Sequence, residues 1–398
     1  MNVPLTWLAE YVVLPKSLPT DTSRQAMQAG ETELTDKLTM AGHMLNRRWL
    51  TDDGEEVIDL ELRGNRSDLF GIIGVAREVS AIFNTPLKLP RLSNLPTTAN
   101  QSKLVSVEAP DLIERFLAFK LKVKIGPSPD WLVKILATYG LPSINNVVDI
   151  TNYVMVETGE PMHAYDVAKL KGGRLILRRA KKNEKFITLL GTGVNLTSQD
   201  LAICDQHKVV GLTMIGGQGS GVSENTTEVI LESAVYNQAN VRRTARRLNI
   251  ITEAGTRHEK LLDPNLVEFA LKRALELLIK HAQAGMLGEA CDYYPNKRTP
   301  RLIRLANSEA ERLTGVKIAV KEQSQILASL GCSVLAKKEV LEIRVPTYRT
   351  DIEQSADLVE EIIRIHGYEK IPTLSLDGQL PPIQTENQIT FANLVREI

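Results

Sequence analysis

The sequence predicts an α+β protein of several domains, with a mixed α/β centre held between two small α+β modules. Three observations carry this. The 398 residues suffice for roughly two to four separate cores. Runs that alternate every second residue, such as VIDLEL at 57–62 and LEIRV at 341–345, stand beside runs with helical spacing, such as FGIIGVAREVSAIF at 70–83. Two polar stretches, SNLPTTANQSK at 93–103 and CDYYPNKRTP at 291–300, have the composition of linkers.

Composition narrows the function classes. Charged residues are 24% and hydrophobic residues 43% of the chain, which is ordinary for a soluble globular protein. Lysine plus arginine equals aspartate plus glutamate at 48 each, so any nucleic-acid contact must come from local patches. Cys204, Cys291 and Cys332 are far apart and form no CxxC pair, which argues against a zinc site or disulfide framework and for a reducing cytoplasm. The opening MNVPLTWLAEYVVLP lacks a charged n-region and a long apolar core, so no signal peptide is expected. No 18-residue apolar run predicts a membrane span.

In the first module, 1–92, Leu5, Leu8, Ala9 and Val12 read as a short amphipathic helix. The strand at 57–62 leads through the polar turn RGNRSD into the helix at 70–83, with Ser67 or Asp68 as its cap. Asn65, Arg66 and Asp68 in that turn suit either an anion site or a turn that satisfies its own backbone.

The central module, 104–290, has strands at 116–124 and 174–180 and a helix in SPDWLVKILATYG, capped by Ser128 and stopped by Gly140. His163 follows Pro161 and is expected in a turn, without a metal partner at i+2 to i+4. GLTMIGGQGSGVSENTTEVILESA, at 211–234, reads as strand, glycine-rich loop and strand. Its glycines fit neither GxGxxG nor GxxxxGK[ST], so a nucleotide loop is not supported. Glu232 lies in the second of these strands and, facing inward, would be a buried acid needing a partner. Arg242, Arg243, Arg246 and Arg247 fall on one side of a helix, which is either a phosphate-binding face or a solvated one. A long helix follows, with Asp263 as cap and Pro264 at its first position.

The third module, 301–372, contains two helices and the strand 341–346, and helix pairs of this kind resemble winged-helix folds. No basic recognition face accompanies them, so DNA binding is not expected. Its last helix is expected to begin at Thr350, with Thr350 and Glu353 as a capping box and Gly367 as its stop. Asp351 then falls in the first turn, and Asp357, Glu360 and Glu361 crowd one sector at i, i+3 and i+4. Like charges at that spacing cost roughly 0.2–0.5 kcal/mol per pair, so arginine or lysine from another element, or a hard cation such as Mg²⁺, is expected to compensate them. Residues 373–398 read as a linker and the start of a helix.

The motifs PTYRTDI and DLVEEIIRIHGY, at 346–352 and 357–368, resemble one module of the bacterial phenylalanyl-tRNA synthetase β subunit. The turn-and-helix signature at Asn65, Arg66, Asp68, Gly74, Ala76, Arg77 and Glu78 resembles the N-terminal module of the same family. NNVVDITNYV, GEPMHAYD, IGGQGSGV, LESA and TEAGTRHE resemble its editing module, which hydrolyses tyrosine misattached to tRNA-Phe. The resemblance implies an editing module flanked by two winged-helix-like modules. It implies His163, Glu232 and Thr252 as editing residues, and Gly216 and Ala254 as the wall that leaves room for a tyrosine ring. It assigns Asp351, Asp357, Glu360 and Glu361 to a Mg²⁺ shared with an α subunit. It also implies an (αβ)₂ ligase that charges tRNA-Phe, with ATP used at the α-subunit site; no lysine-containing phosphate loop occurs in this chain.

Four departures accompany it. Arg63 and Gly64 stand where the family has Thr-Pro, and the family's inserted tRNA-binding barrel near position 45 is missing. Pro142 stands where the family carries an editing-site arginine. The family's catalytic-like and RNA-binding C-terminal domains have no counterpart here. A non-catalytic scaffold that binds the α subunit or tRNA is therefore the alternative reading, and a free-standing deacylase built on the central module is a third.

Overall fold

Alternation drives the first unit together. Strand β1 (Asn2–Pro4) leads directly into helix α1 (Leu5–Ala9), which buries Trp7 and Leu8. Helix α2 (Glu33–Met40) starts at Thr32, whose hydroxyl accepts from the Thr35 amide at 3.2 Å. Strands β2 (Leu45–Leu50) and β3 (Glu56–Leu60) form a hairpin, and the sheet order is β1-β3-β2. The computed structural model describes residues 1–15, 32–90, 92, 103–373 and 387–397. Almost all of the linker expected at 93–103, and most of the one after 373, lie outside them.

Helix α3 spans Ile72–Phe83, preceded by a single 3₁₀ turn at Ser67–Phe70. Neither expected cap is used. Arg66 holds the Asp68 carboxylate through two bonds of 2.9 Å, and the Ser67 hydroxyl donates to the Leu261 carbonyl at 2.7 Å. The turn folds so tightly onto the helix that a Cβ on Gly74 would lie 1.8 Å from the Asp68 carbonyl oxygen.

In the central unit come β4 (Val105–Val107), β5 (Ile113–Lys122), α4 (Asp130–Tyr139), α5 (Asn146–Thr158) and β6 (Met162–Asp166). Next are β7 (Leu175–Arg179), the hairpin β8 (Lys185–Ile187) and β9 (Gly193–Asn195), β10 (Leu201–Cys204), β11 (Val209–Leu212), β12 (Ile215–Gly216) and β13 (Glu228–Tyr236). Helices α6 (Gln238–Leu248), α7 (Glu253–His258) and α8 (Leu266–Ala282) follow, then β14 (Gly285–Tyr293). They build a four-stranded antiparallel sheet, β14-β5-β13-β6, and a five-stranded sheet, β12-β11-β10-β7-β4.

Two caps move from their expected places. Ser128 gives its hydroxyl to Asp149, so α4 begins beyond it, after Pro129. Asp263 accepts from the Asn265 amide and the Thr347 hydroxyl, forming the turn before α8, which starts at Leu266. The expected linker at 291–300 is also partly strand: Cys291, Asp292 and Tyr293 pair with Ala118, Leu117 and Phe116.

The four-stranded sheet separates two cores. On one side Leu117, Phe119, Val229, Leu231 and Val235 pack with α5, α8 and the first unit in one continuous cluster that runs from Val3 and Trp7 to Leu278. On the other, Phe116, Ala118, Ile230, Ala234 and Tyr236 pack against the five-stranded sheet.

The third unit has β15 (Arg301–Ala306), α9 (Glu309–Thr314), α10 (Val320–Ser329), β16 (Ser333–Ala336), β17 (Val340–Val345) and α11 (Ser355–His366). Its sheet order is β15-β17-β16, and its core also takes in Ala81 of α3. Helix α11 starts at Ser355 rather than Thr350. The Asp357 carboxylate accepts from the amides of Glu353 and Gln354, which fixes the first turn there and leaves Asp351 outside the helix. A last helix, α12 (Asn387–Glu397), exposes Phe391 and Leu394. Among the described residues no helix is long and apolar enough to cross a membrane.

Candidate functional site

The period of two on β13 decides what faces what. Val229, Leu231 and Val235 point to the helices, while Ile230, Glu232, Ala234 and Tyr236 point toward the second sheet. Register places His163 of β6 and Ala118 of β5 beside Glu232. His163 therefore belongs to a strand, not to the turn expected from Pro161, because β6 begins only one residue before it. Its ring stands edge-on to Tyr165 at 4.5 Å between centroids.

Gly216 completes this wall, in a different way from the one expected. A Cβ there would lie 2.7 Å from His163 Cε1, so the missing side chain makes room for the imidazole itself. Thr252 caps α7, accepting from the Gly255 amide at 2.9 Å, and donates its hydroxyl to the Met214 carbonyl at 2.8 Å. It ties α7 to the segment just before Gly216, and Ala254 lies half-buried in the first turn of that helix. The structure thus brings His163, Glu232 and Gly216 together directly and joins Thr252 to them through Met214, while Ala254 lies on the helix that Thr252 caps.

Burial sets the protonation states. It lowers the His163 pKa to about 4 and raises that of Glu232 to about 8. At neutral pH both are uncharged, so Glu232 can donate a hydrogen bond as well as accept one. Sequence reasoning missed two neighbours. Tyr236 shares the inner face of β13 with Glu232, which lies within electrostatic reach of it. Its ring stands edge-on to His258 of α7 at 5.1 Å. Tyr236 follows from the same alternation that turns Glu232 inward; nothing local in TRHEK marks His258 as buried. His163 Nε2, Tyr236 Oη and His258 Nδ1 are buried and have no hydrogen-bond partner among the described residues. Such atoms cost about 1–3 kcal/mol each when left unmet. Pro142 is exposed, and two arginines of β7 are already paired: Arg178 with Glu184 and Arg179 with Asp111.

On α6, Val241, Thr244 and Ala245 are buried, and the four arginines lie on the opposite side. Arg242, Arg243 and Arg246 point to solvent. Arg247 is held by Asp200 at 2.5 Å and by the Asn195 carbonyl at 3.3 Å, so the face offers three guanidiniums rather than four.

The acidic carboxylates do not converge. Arg349 binds Asp351 at 2.8 and 2.9 Å and Glu361 at 2.5 Å, and Arg364 binds Glu361 at 2.5 and 2.8 Å. Burial pushes the Glu361 pKa up, but Arg364 and Arg349 outweigh it and hold the carboxyl below its usual range. Asp357 caps α11, and Glu360 is exposed. Among the described residues no group of three or more histidine, cysteine or acidic side chains is placed to hold a metal. A magnesium ion needs near-octahedral oxygens at about 2.0–2.1 Å. These four residues do not fit it as arranged, because two of them spend their oxygens on guanidinium N–H groups and a third on backbone amides.

Comparison with known proteins gives this arrangement its class. A B3/4 domain matches residues 114–283, and a tRNA synthetase B5 domain matches residues 303–368. The polar face lies within the B3/4 domain, and the chain thus carries a tRNA-synthetase-type domain in its third unit. More particularly, it is a relative of the phenylalanine–tRNA ligase β subunits. It is 35% identical to that of Rhodopirellula baltica over 377 residues, covering 94% of this chain and 53% of that one. It is 41% identical to that of Bdellovibrio bacteriovorus over 321 residues, covering 79% and 39%. The chain spans about half, or less, of the length of the curated relatives it matches. An N-terminal fragment of the phenylalanyl-tRNA synthetase β subunit from Pyrococcus horikoshii is similar at a TM-score of 0.48 and 16% identity, covering 92% of this chain and 99% of that one.

Proposed function

We propose that this chain acts as the N-terminal part of a phenylalanine–tRNA ligase β subunit, together with an α subunit that carries the ATP-dependent charging of tRNA-Phe in a cytoplasmic (αβ)₂ assembly. Its own chemical task is to hydrolyse the ester of Tyr-tRNA-Phe. The observation that supports this most is the buried face on β6 and β13, where His163 and Tyr236 carry polar atoms with no hydrogen-bond partner among the described residues, beside the buried, uncharged Glu232. In this reading Glu232 and Tyr236 read the phenol that phenylalanine lacks, because an unpaired buried polar group penalises the wrong side chain. His163, neutral at pH 7, orients water toward the ester carbonyl. Thr252 positions α7 through its bond to Met214. Arg242, Arg243 and Arg246 meet tRNA phosphates.

Pro142 limits the rate. Loss of one preorganised electrostatic contact costs on the order of 10²–10³ in rate, and neither Arg178 nor Arg179 is free to replace it. Slow wild-type deacylation of Tyr-tRNA-Phe, lost in His163→Ala and raised in Pro142→Arg, is the expected result. Fast hydrolysis that ignores both changes would mean another site. A second reading, a scaffold that binds the α subunit or tRNA without chemistry, is favoured by the same exposed Pro142. It predicts no hydrolysis by any of the three proteins.

A further inference from the structure

The acidic motif has a partner that lies far away in sequence. Glu78 on α3 receives Arg364 of α11 at 2.7 Å and Arg66 at 2.5 Å. From Arg364 the chain of charges runs to Glu361 at 2.5 Å, to Arg349 at 2.5 Å and to Asp351 at 2.8 Å. Asp351 comes back to Arg66 at 4.0 Å. Six side chains therefore alternate in sign around a closed ring, with Asp68 added on Arg66 and His43 on Glu78 at 3.0 Å. Every member is nearly buried; the most exposed, Asp351, shows 12% of its side chain. Beside the ring the Arg77 guanidinium covers the Tyr348 ring at 4.0 Å.

We propose that the acidic motif works in this chain as an electrostatic clamp that fixes the third unit on α3, with arginines 66, 349 and 364 taking the place of a divalent cation. The geometry distinguishes the two roles. A metal site would make Glu360 and Glu361 equivalent members of one ligand set. The ring includes Glu361 and leaves Glu360 in solvent. Burying these charges is tolerable only while each has its partner, so removing one member leaves an uncompensated neighbour. The clamp also explains why Arg66 and Asp68 lie so close to the helix start: they bring the first unit's charges to the ring. The proposal does not depend on the editing reading.

The test uses the full 398-residue chain. Thermal melting is followed in MgCl₂ and in EDTA at equal ionic strength, for wild type, Glu360→Gln and Glu361→Gln. Hydrogen exchange of the α3 amides is compared between wild type and Arg364→Lys, which keeps the charge but loses the guanidinium fork. The clamp predicts a melting temperature indifferent to Mg²⁺, a drop of several degrees for Glu361→Gln alone, and faster exchange in α3 for Arg364→Lys. A melting temperature that climbs with the logarithm of Mg²⁺ concentration would overturn it, since that is the signature of binding to the folded state. So would equal losses in the two glutamine variants. If Glu361→Gln does not fold while Glu360→Gln does, the asymmetry stands, and the wild-type magnesium titration still decides.

Discussion

Glu232, His163 and His258 are each buried uncharged, and this gives the protein a pH profile whose sign can be worked out. Glu232 titrates near 4.5 when exposed and at about 8 when folded. Between those values the folded state holds the extra proton, so its contribution to stability falls as pH rises. His163 and His258 titrate near 6.5 when exposed but at about 4 and about 3 when folded. Below 6.5 the unfolded state binds the extra protons, so stability falls as pH drops. Urea midpoints measured from about pH 5 to about pH 9 should show both limbs. Glu232→Gln should flatten the alkaline limb and His258→Phe the acid limb; an unchanged profile in both would place the charges elsewhere. At this scale the sequence was partly legible. Alternation in VILESAVY turns Glu232 and Tyr236 inward, but the contact of His163 with Gly216 joins positions that only the fold brings together.

The elements were found more readily than their ends. Helices α4, α8 and α11 all exist where their periodicity predicts, and all start later than their cap residues suggest. Ser128 and Asp263 are drawn instead to Asp149 and Thr347, tertiary partners that no local pattern reveals, and Asp351, expected in the first turn of α11, is held by Arg349 outside it. Helix α6 gives a test of its own. Changing Arg242 and Arg246 to glutamine should reduce the slope of log affinity for tRNA against log salt by about 1 to 2, with little change in stability. Arg247→Gln should instead destabilise the fold, because it leaves Asp200 short of a partner. Equal salt slopes in the wild type and the double variant would make α6 a solvated face.

For the whole molecule, the sequence separates a first unit from a central one, yet their apolar residues form one core. Trp7 of α1 stacks on Tyr153 of α5 at 4.7 Å, and Leu8 joins the same cluster. Trp7→Ala should therefore cost about 3–5 kcal/mol and lower the melting of the central sheets as well, in a single transition. A central unit that melts as before, seen by the near-ultraviolet signal of Trp131, would contradict a shared core. That core supports one face of the four-stranded sheet, while the other carries the polar site, so the account rests finally on what the site distinguishes. The most direct measurement is the ratio of hydrolysis rates for Tyr-tRNA-Phe and Phe-tRNA-Phe by the wild type and by Glu232→Ala. The account predicts preference for the tyrosyl ester in the wild type and a loss of roughly tenfold or more of that preference in the variant, the effect of one buried polar partner. A wild type that hydrolyses both esters equally, or a variant that keeps the full preference, would contradict it.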